Sequence, residues 1–132
     1  MGTTLGWIVR GSAVIAALLA TMQPVLGSFA FFRRGDAVDY DTIHLVVGGI
    51  LYNLVLLLVV LVPFSRLGRR WTLFGVCLVQ YGLTHLQLRL GLGANDDPGL
   101  LAYHIPVGVL ILLLSYLTVA LGFDVHLNSS RR

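Results

Sequence analysis

The chain has 132 residues, 57% of them hydrophobic and 11% charged, with a formal net charge of +3 and a mean hydropathy of +0.87. So few polar residues cannot clothe a soluble globule, and the class expected is an integral membrane protein. The nine basic residues are all arginine and the six acids all aspartate, a bias expected of a GC-rich bacterial genome, and no basic face with readout groups points to nucleic acid.

Four apolar stretches, at about 8–32, 42–64, 71–92 and 100–123, match the roughly 20 residues a helix needs to cross a bilayer. The expected fold is therefore all-α, with four transmembrane helices in an up-down-up-down bundle that forms a single domain over 1–132. The sequence shows no internal repeat. Arg10 ahead of an apolar run, with Ser28-Phe29-Ala30 beyond it, also fits a signal peptide and its cleavage site; the reading taken is a retained first span, bent at Pro24. His44 opens the second span, with Gly48 and Gly49 one turn deeper. Cys77 stands alone in the third span, so it forms no disulfide or thiolate cluster within the chain and reads as a small packing residue. Gln80, Thr84 and Gln87 lie beside Tyr81, His85 and Arg89, which suggests a polar or wet cavity along that helix. Gly91 to Gly99, with Asn95, Asp96, Asp97 and Pro98, is a loop by its turn chemistry. His104 lies a few residues into the fourth span, followed by Pro106 and Gly108, and His126 after Asp124 reads as a solvated tail residue.

Charge sets the expected orientation. Arg10, Arg66, Arg69, Arg70, Arg131 and Arg132 fall on one side of the spans, which puts both termini in the cytoplasm of a bacterial inner membrane crossed several times. Asp36, Asp39, Asp41, Asp96 and Asp97, with Arg33, Arg34 and Arg89, fall on the other. Trp7, Phe64 and Trp71 near the inner edge and Tyr40 and Tyr103 near the outer edge read as interfacial anchors.

The histidines are the most informative residues, because ionisable groups within spans mark functional sites by default. At about 1.5 Å per residue, His44 and His104 share a level within a turn or two of the outer surface, and spans two and four are diagonal partners in a simple bundle. Two imidazoles facing each other across a core suit an axially ligated metal in a flat ligand, and Gly48 and Gly108 leave side-chain-free patches beneath them. One haem b fits this description, with His44 and His104 as metal ligands and Gly48 and Gly108 against the macrocycle. His85 would then be an outer partner, and Arg89, Arg33 or Arg34 would pair with propionates. A Met22–His85 axial pair is a further arrangement, and the plain alternative is that the histidines bond loop carbonyls or headgroups at helix ends.

Asp41-Thr42-Ile43-His44 leading into Gly48-Gly49, the Gln80 stretch, and Tyr103-His104-Ile105-Pro106-Val107-Gly108 resemble small bacterial four-helix membrane proteins of the b-type cytochrome kind. The layout is also similar to uncharacterised four-span bacterial membrane proteins with a histidine opening spans two and four. The first resemblance implies haem ligation by histidines on facing spans. Its diheme members use four axial histidines, and this chain has none in the inner half of its spans, which leaves one haem near the outer face.

The function expected is a membrane-embedded electron-transfer subunit rather than a stand-alone enzyme. Its candidate partners are the lipid bilayer, a quinone, a larger membrane complex and a second copy of itself. The alternative is a cofactor-free accessory subunit of a respiratory or photosynthetic complex. No Gly-rich phosphate loop, zinc-protease motif, serine elbow or intramembrane carboxylate pair is present in the sequence.

Overall fold

The structure is a computed structural model that describes residues 2–33, 37–94 and 96–123. The expected roles of Arg34, Asp36, Asn95, Asp124, His126, Arg131 and Arg132 lie outside the described residues. All regular structure among them is helical: α1 (Gly2–Phe32), α2 (Tyr40–Leu61), α3 (Arg70–Gly93) and α4 (Leu101–Gly122), with short 3-10 turns at Val62–Phe64 and Pro98–Leu100.

The helix boundaries follow from local chemistry. Asp39 caps α2: its carboxylate accepts the Thr42 amide at 3.0 Å and the Thr42 hydroxyl at 2.6 Å, supplying an acceptor for an otherwise unpaired first-turn donor. Pro63 lies in the 3-10 turn that ends α2. Asp97 accepts the Gly99 amide at 2.9 Å and so shapes the turn that starts α4. Pro24 and Pro106 are carried inside α1 and α4.

Three helical segments, Thr4–Phe32, Tyr40–Phe64 and Pro98–Gly122, are long and apolar enough to cross a membrane, with mean hydropathies of 1.8, 2.8 and 2.3. The 24-residue α3 has the length, but its glutamines, threonines, histidine and arginines lower its hydropathy. Around the outside lie large exposed apolar side chains such as Ile15, Leu18, Val60, Val79 and Leu113, the arrangement of a protein whose exterior is solvated by lipid.

α1 packs against α2 and α4, and α3 packs against the same two helices. Each helix gives the core a seam spaced four, three and four residues apart, the rhythm of one helix face against its neighbours. The seam of α1 is Val9, Ala13, Ala16 and Ala20, and that of α3 is Leu73, Cys77, Gln80 and Thr84, each 64 positions later. In α2 and the 3-10 turn that continues it the seam is Leu51, Val55, Leu58 and Val62, and in α4 it is Ile111, Ser115, Thr118 and Gly122, each 60 positions later. All sixteen are buried, so the pair α3–α4 repeats the pair α1–α2. The repeat is one of burial, which the residue identities conceal: Ala16 corresponds to Gln80 and Leu58 to Thr118.

In the second pair the core is polar and hydrogen-bonded. Gln80 donates to the Ser115 hydroxyl at 2.8 Å and accepts from Thr118 at 3.0 Å; Ser115 and Thr118 also bond back to their own helix. Gln80 and Thr84 thus face packed protein, which corrects the expectation of a wet cavity at those two positions.

Candidate functional site

His44 on α2 and His104 on α4 meet at the end of the core where α1 runs into the connection to α2. Their ring centroids are 6.2 Å apart, with the planes inclined at 60°. Both residues are half-buried, and the Nδ1 atom of each is buried without a hydrogen-bond partner.

Each ring sits in a notch made by a glycine of the neighbouring helix. A Cβ on Gly27 of α1 would stand 3.2 Å from His44 Cε1, and one on Gly91 of α3 would stand 2.9 Å from His104 Cε1. The backbone of Gln23 interacts with the His44 ring, and that of Gln87 with the His104 ring, although neither satisfies Nδ1 in good hydrogen-bond geometry. The side-chain amide of Gln23 lies over Gly48, 3.6 Å from where a Cβ would be, and that of Gln87 lies over Gly108 at 3.1 Å. Gln23 also donates to the His44 carbonyl at 3.4 Å, whereas Gln87 Oε1 is buried and unpaired.

The site therefore has the same repeat as the core. Gln23-x3-Gly27 faces His44-x3-Gly48 in one helix pair, and Gln87-x3-Gly91 faces His104-x3-Gly108 in the other. Sequence reasoning missed Gln23, Gly27, Gln87 and Gly91, although the recurring spacing of four was a signal that could have found them. The patches at Gly48 and Gly108, expected to lie open for a broad ligand, are occupied by glutamine amides.

No family model, curated protein or solved structure matches the chain.

Chemistry must therefore be argued from the donor set. A metal bound at about 2 Å to one nitrogen of each of two opposed imidazoles separates their centroids by roughly 6 Å, so the observed spacing suits a shared metal. Among the described residues no group of three or more histidines, cysteines or acids is placed to hold a metal ion. Two imidazoles alone suit a metal that brings its own equatorial donors, as a porphyrin iron does.

The other expected participants are elsewhere. His85 is exposed on α3, with its ring 6.1 Å from that of Tyr52. Arg89 is exposed one turn further along. Arg33 lies over the Phe29 ring at 5.7 Å. Met22 is 49% exposed on α1, and α1 and α3 are not principal packing partners, so no Met22–His85 pair is assembled.

Proposed function

We propose that the chain is a four-span inner-membrane protein that holds one haem b between His44 and His104 and serves as an electron-transfer subunit. The reading rests on a single observation: two half-buried imidazoles on α2 and α4, 6.2 Å apart, each with a buried, unpaired Nδ1. A buried polar atom left unpaired costs about 1–3 kcal/mol, a cost that ligation and a hydrogen bond to the other nitrogen would remove. Bound there, the iron would supply one-electron chemistry at low spin.

The chain's own residues position and insulate the site. The glycine notches let α1 and α3 close on the imidazole edges, and the two glutamine amides fill the space one turn deeper. The buried hydrophobic cluster that includes Ala20, Leu51 and Ile111 packs the interior of the bundle below.

The up-down-up-down arrangement with both termini cytoplasmic belongs to the same proposal. Its supports are the neighbour contacts and the arginines. Arg10 near the start of α1 donates to the Gly122 carbonyl at the end of α4 at 2.8 Å, and Thr21 meets Tyr116 at 3.0 Å. At that same end Arg10 covers Trp7 and Phe123, and Arg70 covers Trp71, the cation and aromatic pairing of an interfacial belt.

The test is a reduced-minus-oxidised visible spectrum of protein purified from haem-sufficient cells, with pyridine extraction to count haem. The expected result is a sharp b-type signal at about one haem per chain, lost in both His44→Ala and His104→Ala. A colourless protein overturns the proposal. The cofactor-free accessory subunit is the second reading; Gly75 and Gly82, outward on α3 with open space where a Cβ would stand, favour it as a place for another helix to approach.

A further inference from the structure

The internal repeat is broken along the outer seam where α2 meets α3. Tyr52 and Tyr81 join their hydroxyls at 2.6 Å, with rings 5.1 Å apart and inclined at 33°. The His85 imidazole extends the row, 6.1 Å from Tyr52. Tyr52 and Tyr81 are half-buried, and His85 is exposed on the outside of the bundle.

The corresponding positions along the outer seam between α4 and α1 are Leu112, Ala17 and Thr21. The same helix pairing closes there without the three rings, so the fold does not require them. That second seam has its own polar pair, Thr21 with Tyr116, and Thr21 also donates to the Ala17 carbonyl. The α2–α3 seam differs in leaving capacity unused. Two phenols sharing one hydrogen bond keep one free O–H donor, and His85 contributes a donor and an acceptor that no group among the described residues takes up. Polar hydrogen-bonding groups facing hydrocarbon are costly unless something carried in the lipid satisfies them.

We propose that the Tyr52–Tyr81–His85 row binds the head group of a lipid-soluble quinone. Exposure on the outside of a bundle proposed to span the bilayer selects a ligand that travels in the lipid. Three ring faces in a row suit a flat six-membered ring, and donors and acceptors side by side suit oxygens that accept hydrogen bonds when oxidised and donate them when reduced. Tyr52 lies two turns from His44 on α2, about 12 Å along the helix, which brings such a ligand near the histidine pair. This site rests on the proposal that all four helices span the bilayer, but not on a haem at His44 and His104, so the quinone and haem readings fail separately.

The test is photolabelling of the full chain in lipid nanodiscs with an azido-quinone bearing a short isoprenoid tail, followed by peptide mapping, with the visible spectrum recorded on the same samples. Label should concentrate on the α2 and α3 peptides carrying Tyr52, Tyr81 and His85, and unlabelled quinone should compete it away. Labelling should fall at least fivefold in Tyr81→Phe and in His85→Leu, with helix content by circular dichroism unchanged. Leu112→Ala, at the other seam, should leave it intact. Label spread over all four helices, indifference to both substitutions, or equal displacement by a sterol would overturn the proposal, whatever the haem content.

Discussion

Gly27 and Gly91 show how much one missing methyl group decides. At Gly91 a Cβ would stand 2.9 Å from His104 Cε1, closer than side-chain carbons approach, and at Gly27 the distance to His44 is 3.2 Å. Gly91→Ala should therefore displace its imidazole more than Gly27→Ala does. In purified protein the first should lose most of the b-type signal and the second only part, and equal retention in both would show that the notches do not set the ring positions. Asp39 works at the same scale. The Thr42 hydroxyl, followed by the Thr42 amide, holds its carboxyl below the ordinary value of 3.8. A depressed folded-state value means that the cap's contribution is present above the ordinary value and is lost as pH falls through the lowered one. Helix content should accordingly not vary with pH near neutrality, where the cap is fully in place, and should fall only in acid below about pH 4. Asp39→Ala should lower the thermal midpoint at pH 7, with Asp39→Asn retaining part of the difference.

Among the elements, α3 departs most from its composition. Its polar residues are divided over three environments: Gln80 and Thr84 in the core, Gln87 against Gly108, and His85 with Arg89 on the outside. The buried part joins α3 to α4. Gln80→Leu removes two hydrogen bonds from a fully buried position and leaves the Ser115 and Thr118 hydroxyls only their bonds to their own helix. The expected cost is about 1–2 kcal/mol, read as a lower midpoint in detergent unfolding. Gln80→Glu, which keeps the shape and adds an ionisable group in the core, should cost more.

The whole molecule is built as two helix pairs of matching burial, with the imidazoles of His44 and His104 meeting where the pairs come together. If all four helices span, the loop before α3 and the loop before α4 lie on opposite sides of the membrane. A single cysteine introduced at Arg69, in a Cys77→Ser background, should react with an impermeant maleimide only in inverted vesicles, and one at Asp97 only in intact spheroplasts. Labelling of both from one side would remove α3 from the set of spans. Thermal stability should also rise with haem supply during expression, because a ligand bound by the folded state alone stabilises it by mass action. Identical midpoints for haem-rich and haem-starved preparations would count against ligation.

Composition and apolar run length alone determined that the chain is helical, with segments long and apolar enough to cross a membrane, because a hydrocarbon core admits only segments whose backbone bonds are satisfied internally. Depth counting along the helices was likewise enough to set His44 and His104 at one level, since helical rise is constant. The glycine notches, the glutamine amides over Gly48 and Gly108 and the division of α3 into core and outward faces were decided only by tertiary structure. Each depends on which neighbouring helix a given face meets, and a nearly uniform apolar sequence leaves that rotation unmarked. The repeat escaped the sequence for the same reason: burial was kept while alanine, glutamine, leucine and threonine exchanged places, and packing geometry constrains position more tightly than residue type.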